Sequence, residues 1–141
     1  MADGLLRKKF HDHGLNGLVD SAGTAAYHVG EAPDKRMRSI AKQFGFPIDD
    51  LRARQVTPLD FDRFDIIYAM DESNQTNLLR IARNEQDKAK IKLILKEIKG
   101  CELKDVPDPY YGTLADFETV FRLLDEATDQ IIAQHEKYDN R

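Results

Sequence analysis

At 141 residues the chain falls in the size range of one compact domain, long enough to bury a core without disulfide or metal support. Apolar residues make up 41% and charged residues 33% of it, which excludes the low hydrophobicity of disordered chains, and no run approaches the roughly 18 apolar residues that a membrane span needs. The net charge is −4, with Lys and Arg spread along helices rather than clustered, which argues against a nucleic-acid surface.

Residues 1–14 carry charges throughout and hold no apolar signal region, so a cytoplasmic protein is expected. The single cysteine, Cys101, allows no intramolecular disulfide and fits a reducing compartment.

In chain order, Leu5, Leu6 and Phe10 share one helical face over residues 2–13, and Gly14 stands where a helix C-cap is expected. Residues 17–21 form a short apolar run ending in turn chemistry at Ala22-Gly23-Thr24, which predicts a strand. Pro33, Asp34 and the apolar spacing of Met37, Ile40, Ala41 and Phe44 predict a helix over about 33–44, stopped by Gly45. Thr57, Pro58 and Asp60 have the spacing of a capping box and start a short helical turn. Residues 64–70 give the clearest strand. Asp71 or Ser73 caps the next helix, which carries Leu78, Leu79, Ile81 and Ala82 before Asn84. Residues 91–95 are a further strand candidate. After a loop with Pro107, Pro109 and Gly112, positions Phe117, Val120, Phe121, Leu124, Ala127, Ile131 and Ile132 recur at helical spacing, and the chain closes on a long helix.

Strands separated by helices point to α/β with a parallel sheet and right-handed crossovers. Ligands in such sheets sit at the carboxyl ends of strands, which directs attention to residues 21–30, 71–74 and 96–112. No repeat, linker or low-complexity segment interrupts the expected single domain over 1–141.

Four groups of residues invite chemistry. Asp108 lies in Val106-Pro-Asp-Pro-Tyr-Tyr-Gly112, where prolines restrict the backbone on both sides and two aromatic rings flank a carboxyl. It reads either as a general acid toward a leaving-group oxygen or as an ordinary turn aspartate bonding backbone amides. His11 and His13 have no third ligand at metal-site spacing, so no metal is expected. Asp60 and Asp62 would suit an aspartate nucleophile only directly after an apolar strand, and the solvated helical turn is the better reading. Cys101 has acids at 102 and 105 and no arginine downstream, which reads as an inert thiol.

Six blocks, Asp20-Ser-Ala-Gly-Thr24, His28-Val-Gly-Glu31 with Pro33-Asp34, Arg52-Ala-Arg-Gln55, Asp62-Arg-Phe-Asp65, Ala69-Met-Asp-Glu-Ser-Asn74 and residues 106–112, together resemble the low-molecular-weight protein tyrosine phosphatases. Their order and spacing match over nearly the whole chain. The resemblance implies a three-layer parallel α/β fold and hydrolysis of phosphotyrosine proteins or small aryl phosphates through a cysteinyl-phosphate, without cofactor or metal. It makes Asp108 the acid and then the base, and Tyr27, Tyr110 and Tyr111 the aromatic walls of the substrate slot. Ser21 then supports the phosphate loop and Asp71 stands close to it. Many members carry a histidine where this chain has Leu51. A redox-cysteine arsenate reductase on the same fold would need more than Cys101.

The family's first, central strand and its Cys-x5-Arg loop come immediately before the stretch that opens here as Met1-Ala-Asp-Gly-Leu-Leu-Arg7. The expectation is therefore a truncated, inactive chain lacking the nucleophile, with an internal methionine taken as the start. Losing about four buried apolar side chains at roughly 1.5 to 3 kcal/mol each is expected to leave such a chain unstable alone. The alternative is a non-catalytic binding or interaction module. The residues set no expectation for physiological substrate or oligomeric state.

Overall fold

The computed structural model describes residues 1–24, 30–107 and 114–139. In chain order these form α1 (Ala2–Asp12), α2 (Lys35–Gln43), α3 (Asp60–Arg63), β1 (Ile67–Ala69), α4 (Glu72–Ile81), α5 (Glu85–Ala89), β2 (Ile91–Leu93), a 3-10 turn over Ile94–Glu97, and α6 (Leu114–Asp139).

Helix boundaries follow the capping chemistry. Gly14 and Gly45, at φ +65° and +82°, end α1 and α2. At each, the residue after the glycine donates back across the last turn, Leu15 to the Phe10 carbonyl and Phe46 to the Ala41 carbonyl, both at 2.9 Å. These are Schellman closures, which need a left-handed residue at the position that glycine fills. Asp34 starts α2 by accepting the Arg36 amide at 2.8 Å. In the Thr57 box, Asp60 accepts the Thr57 amide at 2.9 Å.

β1 and β2 pair in parallel, Ile67 opposite Ile91 and Ala69 opposite Leu93, with α4 and α5 in the crossover. Alternation along β1 sorts its side chains between two cores. Tyr68 and Met70 pack against the larger one, built from α1, α2, α6 and the 3-10 turn around Leu5, Ile40, Leu95, Phe117 and Leu124. Ile67 and Ala69 join Phe61, Leu78, Ile91 and Leu93 on the opposite face. Helices thus cover both faces of a parallel sheet, the three-layer α/β arrangement expected from the sequence.

α6 is fastened to α1 by polar as well as apolar contacts. Lys9 Nζ reaches Asp125 Oδ1 at 2.7 Å, Thr128 Oγ1 at 2.8 Å and Asp129 Oδ1 at 2.8 Å. Phe44 and Phe46 stack on Phe121 with centroids 4.0 and 5.6 Å apart.

Three expectations need correction. Residues 17–21 form no strand: Leu18 is 65% exposed, and the segment's bridge to the rest is the parallel pair Gly23–Gln55. A strand needs a hydrogen-bonded neighbour along its length, and among the described residues this run has none. The strands at 64–70 and 91–95 are shorter than predicted, because the chain bends at Asp65 before β1 begins at Ile67 and residues from Ile94 onward tighten into the 3-10 turn. α5 was not anticipated. Asn84 caps it by accepting the Asp87 amide at 2.9 Å, an Asn-x-x-Asp signal that is local and readable.

Among the described residues β1 has one strand neighbour, β2. Ile67 and Tyr68 are half-buried, whereas Ile91 and Leu93 are buried. No helix among the described residues is long and apolar enough to cross a membrane.

Candidate active site

Past the end of β1, Met70 and Asp71 lead out of the sheet at its carboxyl edge, and three other stretches of chain converge there. Asp71 Oδ1 accepts the Asn74 amide at 2.7 Å and so caps α4. From the segment ahead of Asp108, the Val106 amide donates to the Met70 carbonyl at 2.8 Å. Asp105 Oδ1 accepts the Glu72 amide at 2.8 Å, and Lys104 Nζ stands 3.4 Å from the Glu72 carboxylate. From the other side, Thr24 Oγ1 lies 3.5 Å from Asn74 Nδ2 and 3.3 Å from Asn77 Nδ2.

The fourth stretch is fixed by Arg54. Its guanidinium makes a two-pronged contact with Asp60, at 3.1 and 2.9 Å, while Nε donates to Asp20 Oδ2 at 3.1 Å. Its backbone joins the same clamp: the Gly23 amide donates to the Arg54 carbonyl, and the Val56 amide to the Gly23 carbonyl, each at 2.8 Å. Asp60 is 4% exposed. Burial pushes its carboxyl up, but the Arg54 guanidinium and the Thr57 amide outweigh that and hold it below the usual carboxylate range. The solvated-turn reading therefore holds for Asp62, which is exposed and paired with Arg83, and fails for Asp60.

Ser21 sits between these anchors. Its hydroxyl donates to Asp3 Oδ2 at 2.8 Å, tying the 20–24 loop to the first turn of α1. Asp3 is buried, and its other oxygen meets Arg7 Nε at 2.5 Å. Of the expected site, two members are described: Ser21, held by Asp3 of α1, and Asp71, the cap of α4. Asp108, Tyr27, Tyr110 and Tyr111 lie outside the described residues.

The remaining candidates have other partners. Cys101 is half-buried against the larger core, with its sulfur 3.7 Å from the Leu103 carbonyl. His11 is exposed beside Asp12, and His13 pairs with Glu136 of α6. Among the described residues no group of three or more His, Cys, Asp or Glu side chains comes together as a metal site requires.

Sequence reasoning missed the parts played by Arg54 and Asp105, and read Asp60 as a turn residue without its tie to Arg54. Arg54 stood inside one of the quoted blocks, but nothing in its spacing shows that two carboxylates, 34 positions before it and six after it, would share it. Asp105 reaches a backbone amide 33 residues away, for which no local signal exists.

A parallel sheet covered on both faces, with loops and a helix N-terminus meeting at its carboxyl edge, defines an α/β protein, a class in which ligands sit at the strand ends. Comparison with known proteins then fixes the family. The model of the low molecular weight phosphotyrosine protein phosphatases matches residues 1–140, and the chain belongs to that family. It is 41% identical over 125 residues to the human low molecular weight phosphotyrosine protein phosphatase, covering 86% of this chain and 78% of the human one. A low molecular weight protein-tyrosine-phosphatase of Streptomyces coelicolor is 36% identical over 138 residues, covering 94% and 83%. Among solved structures, a protein tyrosine phosphatase from Entamoeba histolytica superposes with a TM-score of 0.90 at 36% identity, covering 98% of this chain and 88% of that one. YfkJ from Bacillus subtilis does so at 0.87 and 34%, covering 97% and 86%.

Proposed function

We propose that the intact gene product is a cytoplasmic, metal- and cofactor-independent phosphatase that hydrolyses phosphotyrosine or small aryl phosphates through a cysteinyl-phosphate, and that the 141 residues alone do not. The family match over residues 1–140 carries this reading. In it, Asp108 protonates the tyrosyl oxygen as the phosphoryl group leaves and then takes a proton from the attacking water. Tyr27, Tyr110 and Tyr111 sandwich the phenyl ring. Ser21, tied to α1 through Asp3, and Asp71, at the head of α4, support the phosphate-binding loop.

Cys101, the single cysteine of the 141 residues, does not fit the nucleophile of this reading. Cys101 is followed six residues later by Pro107, so it has no arginine to hold phosphate oxygens, and it packs half-buried against the larger core. Assaying p-nitrophenyl phosphate with the 141-residue chain and with the product of the frame extended upstream separates the possibilities. Turnover by the extended form alone supports the proposal. Turnover by the 141 residues would overturn its second half, and no turnover by either would favour a non-catalytic binding module.

A further inference from the structure

Asp105 carries no role in the reading above, yet it occupies a particular place. Three consecutive residues, Lys104, Asp105 and Val106, zip onto Met70 and Glu72 through one ion pair, one hydrogen bond from a backbone amide to a side chain and one between backbones. Two of these contacts are of different worth. The Lys104–Glu72 pair is solvent-exposed on both sides and holds little. The bond from the Glu72 amide to Asp105 is exposed too, but it is charge-assisted and satisfies a donor in the first turn of α4 that the helix itself leaves open.

α4 therefore receives two carboxylates at its head, each on a different amide: Asp71 on Asn74 and Asp105 on Glu72. One cap suffices to start a helix, and Asp71 supplies it from the adjoining position. The second comes from 33 residues further along the chain, and what it adds is attachment of that chain to the sheet edge. Val106, half-buried against the larger core beside Met70, completes the anchor. Only Pro107, with its fixed φ, separates this anchor from Asp108.

We propose that Asp105 is a positioning residue for the proton-transferring Asp108, holding the start of its loop on the head of α4 through the Glu72 amide. It touches no reacting atom. The inference rests on the phosphatase reading above, and the test keeps the two apart.

In the intact gene product, Asp105→Ala removes the acceptor, whereas Asp105→Asn keeps a side-chain carbonyl that can accept the same amide. Phenyl phosphate, whose leaving group needs its proton, and p-nitrophenyl phosphate, whose leaving group hardly does, are compared by kcat/KM, which reports the first chemical step. With Asp105→Ala the phenyl phosphate value should fall about tenfold, a fraction of the 10²–10⁴ a well-placed acid contributes, while the p-nitrophenyl phosphate value falls less than about twofold. Asp105→Asn should restore most of the loss.

Asn84→Ala, which uncaps α5 away from the site, controls for lost helix stability and should shift Tm without changing the ratio of the two substrates. Equal losses on both substrates with Asp105→Ala, or no loss, would overturn the inference while leaving the phosphatase reading intact. An inactive parent would overturn both. Hydrogen exchange at the Glu72 amide gives a readout independent of turnover: it should quicken in Asp105→Ala and not in Asp105→Asn.

Discussion

Arg54 shows what a single side chain can organise. Lysine carries the same charge, yet it could not reproduce the contact, because a lone ammonium offers no planar fork to span both oxygens of Asp60 while reaching Asp20. Asp60 is the buried partner, and asparagine in its place keeps one acceptor oxygen but turns an NH2 donor toward donors, either one guanidinium prong or the other prong with the Thr57 amide, and loses the charge. Asp60→Asn should cost about 1–3 kcal/mol, the range for leaving buried groups unsatisfied. The pH dependence has a definite sign. The Asp60 pKa is depressed in the fold, so its stabilisation is complete above the unfolded carboxylate value of about 4 and is lost as pH falls through the folded value. Urea unfolding of both proteins should show the gap between wild type and Asp60→Asn constant from pH 7 to 5 and shrinking below about pH 4. A gap that widened on acidification would contradict the assignment.

Among the elements, α1 is the one whose sequence most closely constrains its packing. Gly4 faces the loop after α2, and a Cβ placed on it would come within 2.4 Å of Ile48 Cγ2 and 3.2 Å of Phe46. Ile48 and Phe46 are buried, so neither can swing into solvent. Gly4→Ala would gain helix propensity and still lose stability, by about 1–3 kcal/mol, because overpacking outweighs the ~1 kcal/mol that alanine gains in a helix. Thermal unfolding of that variant beside Gly17→Ala, where the nearest atoms of Phe10 lie at an ordinary 3.4 Å, would show whether the close approach or the mere loss of glycine decides.

Most element positions were legible because their determinants are local. The glycines after α1 and α2, the aspartates that cap α2 and α4, and the apolar spacing of α6 all act within a few residues of themselves. The run at 17–21 misled for the opposite reason: its β character depends on a neighbouring strand, which no local pattern contains. The site divides the same way. Asp71 was placed by its own cap, whereas the Arg54 clamp and the reach of Asp105 to Glu72 exist only once the chain has folded.

At the scale of the whole molecule, several stretches of chain meet at the sheet edge. β1 hands the chain to α4, the 20–24 loop docks on Arg54 and Asn74, and the 104–106 segment closes the arrangement. Such convergence is what a phosphoryl-transfer site needs, since its catalysis rests on holding several groups in fixed relation. The most direct test of this account is hydrolysis of a phosphotyrosine peptide by the intact gene product, wild type against Asp108→Asn, followed as released phosphate. The account predicts a fall in kcat/KM of about 10²–10⁴, the share of a general acid. Equal rates in the two proteins would show that Asp108 carries no proton and that the assigned site is wrong.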